Sequence, residues 1–312
     1  MHTAPFHPGE QQAQARIGVR AQMEKVGGIV LRDYMPDQHR EFFPLLPTLF
    51  VGAEDAAGRV WASLLWGGPG FVSSPAPAAL RIDARLMQDD PLAASLAPGT
   101  PVGLLGLQFE TRRRNRANGT ITSADATGFG FALAQSFGNC AKYIQTRELQ
   151  ACVQDDALPA VSGGVHLPAP ALTLVRRADT FFIATAADKA YGTAHAADVS
   201  HRGGRPGFVH ADDNGTIAWP DFQGNNFFNT IGNIAADGRA GLLFIDFERG
   251  DLLHLSGRAE TDWEGPDIAR VAGAQRVLRF RTEHHVWRPG GLPLRWSLKE
   301  QSPHLDATGV WG

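Results

Sequence analysis

Apolar residues along this chain recur at every second position or in short unbroken runs, and both patterns predict β-strands. Unbroken runs open at Leu49–Ala53 and Phe181–Thr185, and longer ones follow at Val102–Phe109 and Ala240–Phe247. Leu252–Arg258 comes after Glu248-Arg249-Gly250-Asp251, a turn that predicts a hairpin. Glycine, proline, aspartate and asparagine break the other strands at short intervals, so the pattern favours an antiparallel barrel over a doubly wound parallel sheet. Helical segments are fewer. One is expected over Gly9–Met23, a short one within Asn225–Ala236 and another within Gly265–Phe280, while Gln154–Pro170 reads as a linker.

The same signals occur twice in the same order. Leu49–Ala53 matches Phe181–Thr185, Gly68–Val72 matches Arg205–Val209, Val102–Glu110 matches Ala240–Glu248, and Asn115-Arg116-Ala117 matches Gly257-Arg258-Ala259. The spacing drifts by only about ten residues, which predicts a duplicated domain. The expected division is a degenerate N-terminal barrel with a leading helix over residues 1–155 and a second barrel over residues 156–312.

Composition narrows the function. A length of 312 residues suits two domains, and 43% hydrophobic with 20% charged residues is ordinary for a water-soluble chain. The net charge of −3 gives no reason to expect nucleic acid or an anionic membrane. No apolar stretch approaches the roughly 20 residues of a membrane span, and the N-terminus lacks a basic-then-apolar signal. Cys140 and Cys152 are too few for a disulfide framework, so a reducing cytoplasm is the expected location.

The chemistry concentrates in Asp198–Asn233, where arginine, histidine, serine and asparagines alternate with aromatics and glycines. Turns of this kind aim N–H and amide groups at an anion, and Trp219, Phe222, Phe227 and Phe228 offer flat apolar surface. The matching window of the first copy has no asparagine or aromatic, and its cations are Arg81 and Arg85. The second copy is therefore the expected ligand site. The run Arg112-Arg113-Arg114-Asn115-Arg116 falls where the second copy has its turn, and reads as a solvated hairpin. Cys140 reads as a buried structural thiol, and His201 as a hydrogen-bonding group or a proton donor. His284-His285 lacks the ligand spacing of a metal site, and no P-loop, nucleophile elbow or dinucleotide fingerprint is present.

Ser200–Val209 (SHRGGRPGFV), Trp219–Ile234 (WPDFQGNNFFNTIGNI), Gly241–Glu260 and Ser136–Arg147 (SFGNCAKYIQTR) resemble the pyridoxamine 5′-phosphate oxidase-related flavoproteins, with Ala141 where that family usually has proline. The resemblance implies two tandem split β-barrels, mainly β with a few helices, and FMN as cofactor. It places Arg205, Pro206, Gly207, Phe208 and Val209 along the flavin ring. Trp219, Pro220, Asp221, Asn225, Asn226, Asn229 and Thr230 would hold the ribityl phosphate, and Ser200, His201 and Arg202 complete the set. The loop carries no cation, so Arg202 or Arg205 is expected to supply the charge. Trp296 is read either as reaching the site or as covering a barrel end. The implied activity is an oxidoreductase acting on a small organic substrate. Single barrels of that family pair around the flavin, so a tandem chain either pairs its own halves or dimerises, and a homodimer is expected because symmetric dimers are the commonest oligomer. The alternative is a flavin- or haem-binding carrier or sensor without turnover.

Overall fold

The computed structural model describes residues 4–153 and 160–312, so the boundary expected at residues 155/156 lies outside the described residues. The first half opens with helices α1 (Pro8–Arg16), α2 (Arg20–Val30) and α3 (Asp37–Arg40). The single helix expected over Gly9–Met23 is thus two, because Gly18 sits at φ +75° and turns the chain. Strands β1 (Thr48–Glu54), β2 (Val60–Trp66), β3 (Val72–Ala76), β4 (Ala79–Ile82), β5 (Pro101–Gln108), β6 (Arg113–Ala124) and β7 (Phe129–Gly138) follow. They form one curled antiparallel sheet in the order β2-β1-β5-β6-β7-β4-β3.

After β8 (Thr146–Cys152) and β9 (Ser162–Gly164), the second half runs α4 (Ala169–Arg177), β10 (Thr180–Thr185), α5 (Thr193–Ala196), β11 (Asp198–Gly203), β12 (His210–Ala211) and β13 (Thr216–Asp221). It continues through α6 (Asn229–Ala236), β14 (Arg239–Ile245), β15 (Leu252–Asp262), β16 (Arg276–Arg288) and β17 (Leu294–Glu300). Its sheet follows the same path, β11-β10-β14-β15-β16-β13-β12, with β9 on β16, while β17 pairs with β8. The fold is mainly β, two split barrels in tandem. The expected linker holds β9 and the start of α4.

Two sequence expectations change here. The helix within Gly265–Phe280 does not form. A 3-10 turn at Pro266–Arg270 ends, Gly273 at φ +78° redirects the chain, and β16 begins at Arg276. Buried Leu278, Phe280 and Thr282 then alternate with the more exposed Arg279 and Arg281, and that two-residue period sets the strand. The match of Asn115-Arg116-Ala117 to Gly257-Arg258-Ala259 is also out of register. Asn118 pairs with Gly103 as Ser256 pairs with Gly241, so Gly119 and Gly257 correspond, each just past a bulge.

The unbroken apolar runs have two faces to bury. One face of each sheet fills its own barrel, with Leu49, Val51 and Leu104 in the first and Phe181, Ile183 and Leu242 in the second. The other faces meet each other through Phe50, Leu64 and Leu105 against Phe182, Val199 and Leu243. Phe50 and Phe182 are each the third residue of the corresponding strands, and their rings stack 3.6 Å apart. Gly103 and Gly241 allow this approach. A Cβ on Gly103 would sit 2.7 Å from the Asp198 Cα, and one on Gly241 2.5 Å from the Val60 carbonyl.

Candidate functional site

Where the second half's β11 faces the first half's β6, the seam opens into a cavity of about 120 Å3. The second half supplies Ser200, His201 and Arg202 from β11, Pro220 and Asp221 from β13, the loop 222–228, the start of α6, and Arg276 of β16. The first half supplies Arg114 and Arg116 from β6, and Asn139, Cys140, Lys142 and Tyr143 from the segment after β7. A larger cavity of about 590 Å3 lies on the first half under residues 84–96. Its walls are mainly alanine, leucine, glycine and phenylalanine with one arginine and one aspartate, so it offers no concentration of charge.

The smaller cavity is strongly cationic. Five basic side chains line it, Arg114, Arg116, Lys142, Arg202 and Arg276, with Asp221 as the acid among them. Arg116 is buried and pairs with Asp198 at 2.8 Å, donates to Asn229 Oδ1 at 3.1 Å and donates to Ser200 Oγ. Thr230 Oγ1 donates to the same serine oxygen at 3.3 Å. Arg276 stands 3.4 Å from Asp221 and lies over the rings of Trp263 and Phe228. Burial, and then the charges of Arg116 and Arg202, pull the Arg114 guanidinium down to about 9. Burial, with Arg114, Arg202 and Arg147 nearby, holds His201 well below its ordinary range, so it is a neutral imidazole.

Several polar atoms here have no partner within the protein. Arg116 Nε, Arg202 Nε, Arg276 Nη1, Asn139 Nδ2 and His201 Nε2 are buried without a hydrogen-bond partner. Native interiors leave few such groups, and a cluster of them calls for a ligand or ordered water. Helix α6 adds to the pull. It starts from Phe228 at φ +63° with no side-chain cap, so its first-turn N–H groups and positive dipole end stand at the cavity wall. The donor set suits an oxyanion with several oxygens, and it fits a phosphate.

Ten of the expected site residues line this cavity: Ser200, His201, Arg202, Phe208, Pro220, Asp221, Asn225, Asn226, Asn229 and Thr230. Five do not. Arg205, Pro206 and Gly207 form a turn rather than a strand, and Arg205 binds the Leu305 carbonyl and Asp306 instead of a ligand. Val209 and Trp219 point into the barrel core, because alternation along β13 turns Trp219 inward where Pro220 faces the cavity. Of the two candidate cations only Arg202 is in place. Trp296 packs on Phe109 and Phe247, away from the cavity.

The first half's contribution goes beyond the sequence expectation. The turn at Thr111-Arg112 is a hairpin as read, but strand alternation brings Arg114 and Arg116 to the cavity while Arg113 lies over Phe42. Cys140, expected as a buried structural thiol, is half-buried in the cavity wall. The signal for the arginines is their spacing of two within a strand; a reading of the run as surface charge conceals it.

The corresponding place on the other side of the seam is closed. There Ser63 stands where Ser200 does, and His254 where Arg116 does, by strand register. Ser63 Oγ donates to Asp90, whose carboxylate lies 3.9 Å from His254 Nε2, and Arg288 pairs with Asp89. The segment 87–92 thus fills with its own carboxylates the niche that its twin leaves open.

No family model and no curated protein matches the sequence. Among solved structures, the chain is similar to HupZ of Group A Streptococcus, at 19% identity and TM-score 0.29 over 38% of this chain and 90% of that one. It is similar to a candidate pyridoxamine 5′-phosphate oxidase from Lactobacillus delbrueckii at 12% identity and TM-score 0.29, over 38% and 93%. A FAD binding protein from Mycobacterium smegmatis gives 16% identity and TM-score 0.26, over 41% and 98%. Similarities this slight transfer neither activity nor ligand.

Proposed function

We propose that this protein is an FMN-binding flavoprotein and an oxidoreductase for a small organic substrate. The observation that carries the reading is the gathering of five basic side chains, with orphaned donors among them, around one cavity at an uncapped helix start. Bidentate guanidinium groups and helix N–H groups suit a phosphate dianion. About 120 Å3 is less than the roughly 300–1,000 Å3 of pockets that engulf a drug-sized ligand. The phosphate end therefore belongs in the cavity, and the flavin ring at its mouth, where Tyr143 and Phe222 pack together with ring centres 5.3 Å apart. Bound flavin would supply the redox chemistry, while the protein binds and orients it. Both walls come from one chain, so a second copy is not needed to complete the cavity.

Fluorescence titration with FMN tests this directly. Thr230→Ala is expected to weaken binding by about 1–3 kcal/mol through the donor it removes and the partner it strands. Arg81→Ala is expected to leave binding unchanged, since Arg81 sits in an exposed cluster with Asp83 and Asp125 on the first half. A protein that takes up no FMN at micromolar concentration sinks the reading. Anaerobic bleaching of bound FMN by NADH or NADPH separates an enzyme from a carrier without turnover.

A further inference from the structure

Behind the cavity lies a carboxyl group that the ligand reading does not use. Glu10, in the first turn of α1, is buried with 1% of its surface exposed. Its Oε2 accepts the His7 backbone N–H at 2.8 Å, and its Oε1 accepts Nδ2 of Asn229, the residue whose Oδ1 takes Arg116. One amide therefore couples Glu10 to an arginine of the anion cavity and to the first residue of α6. Close backbone packing fixes this arrangement, since a Cβ on Gly232 of α6 would fall 2.6 Å from the Glu10 nitrogen.

The groups facing Glu10 leave it without a partner of opposite charge. From α1, His7 stands 3.7 Å away, but its Nδ1 accepts the Gly9 N–H and its Nε2 meets Asn233 Oδ1 at 2.9 Å, the pattern of a neutral ring. From α5, His195 Nδ1 is also 3.7 Å away, and burial, then His7, pulls that imidazole down to about 4. From β11, Asp198 faces Glu10 as a like charge and already holds Arg116 of β6 in a direct ion pair. Arg116 is the arginine in direct contact with Asp198, and Arg202 of β11 acts on Asp198 from farther off. Burial pushes the Glu10 carboxyl up to about 8, with the Asp198 charge adding to the rise and the His7, Asn229 and Arg116 contacts opposing it.

We propose that Glu10 is a positioning residue that carries a proton in the working site, so that capture of an anion in the cavity is proton-linked and weakens when Glu10 ionises. This rests on the reading of the cavity as a phosphate site. An ionised Glu10 would draw on Arg116 through Asn229 and add a negative charge behind the bound anion. The folded state holds the Glu10 proton more tightly than the unfolded chain does. Its contribution to stability is therefore complete below about pH 4.5 and is lost as pH rises through about 8.

The test is binding of FMN, and separately of inorganic phosphate, from pH 6 to 9.5 with wild type and Glu10→Gln. Wild type should lose roughly tenfold in affinity across pH 8, the change produced by a one-unit shift of a linked group. Glu10→Gln should hold the low-pH affinity through pH 8 and weaken only as Arg114 loses its charge near pH 9, a fall that wild type shares. The infrared carboxylic-acid band of the ligand-free protein should titrate near pH 8 and lose that component in the variant, an independent reading should the variant fold poorly. Phosphate binding that shows this pH dependence without any FMN binding removes flavin from the account and keeps Glu10 in its role. A flat pH profile in wild type, a Glu10 that ionises below pH 6, or binding of neither anion overturns the proposal.

Discussion

Arg116→Ala is expected to abolish FMN binding in the micromolar range and to destabilise the protein by about 3–5 kcal/mol, the cost of removing one partner of a buried ion pair. The arginine is 3% exposed, and its loss leaves Asp198 buried with no cation in direct contact. Asn229 Oδ1 loses its donor as well, and Ser200 Oγ keeps only Thr230 as a donor. Urea denaturation with FMN titration checks both effects. Arg116→Lys restores the charge but not the planar fork, so it should recover more stability than affinity. An Arg116→Ala protein that binds FMN normally would move the site elsewhere.

Phe50→Ala should cost a similar amount, about 3–5 kcal/mol, for a different reason. Phe50 is buried against Phe182 at the centre of the seam, and truncation leaves a void that glycine-tight backbones cannot collapse to fill. Because the cavity has one wall from each half, this variant should also lose ligand although no atom of Phe50 lines the site. Paired thermal unfolding and FMN titration would show it. Lost stability with intact affinity would mean that the seam does not shape the cavity.

Much of the architecture is legible in the sequence because strand burial leaves a direct imprint. Leu49–Ala53 and Phe181–Ala184 carry no polar side chain since both faces of β1 and β10 are covered. Gly250 marks the β14–β15 turn, at φ +76°. Gly265–Phe280 reads wrongly as a helix because alanine-rich residues 268–274 suit one, whereas Gly273 and the contacts of β16 decide the matter. Asn115 falls against Gly257 in the sequence comparison because both are followed by Arg-Ala, a likeness of side chains that does not coincide with the strand pairing, in which Gly257 answers to Gly119.

The site is legible in its second-half residues only. Amides and aromatics cluster in one window there, from Pro220 to Thr230. The other wall depends on Arg114 and Arg116 meeting β11, a pairing between segments more than eighty residues apart that neither segment encodes alone. Glu10 is hidden for the same reason: in the sequence it is an ordinary acidic residue near a helix start.

The niche closed by Asp90 has a consequence for how such a chain can change over time. In an assembly of two identical barrels, every substitution strikes both niches at once, so neither can be sacrificed. Fusing the barrels lifts that symmetry: one niche can be stoppered by a stretch of its own polypeptide while its counterpart keeps its donors free. Saturation at one equivalent of FMN per chain, rather than two, is the outcome expected of a niche stoppered on one side only.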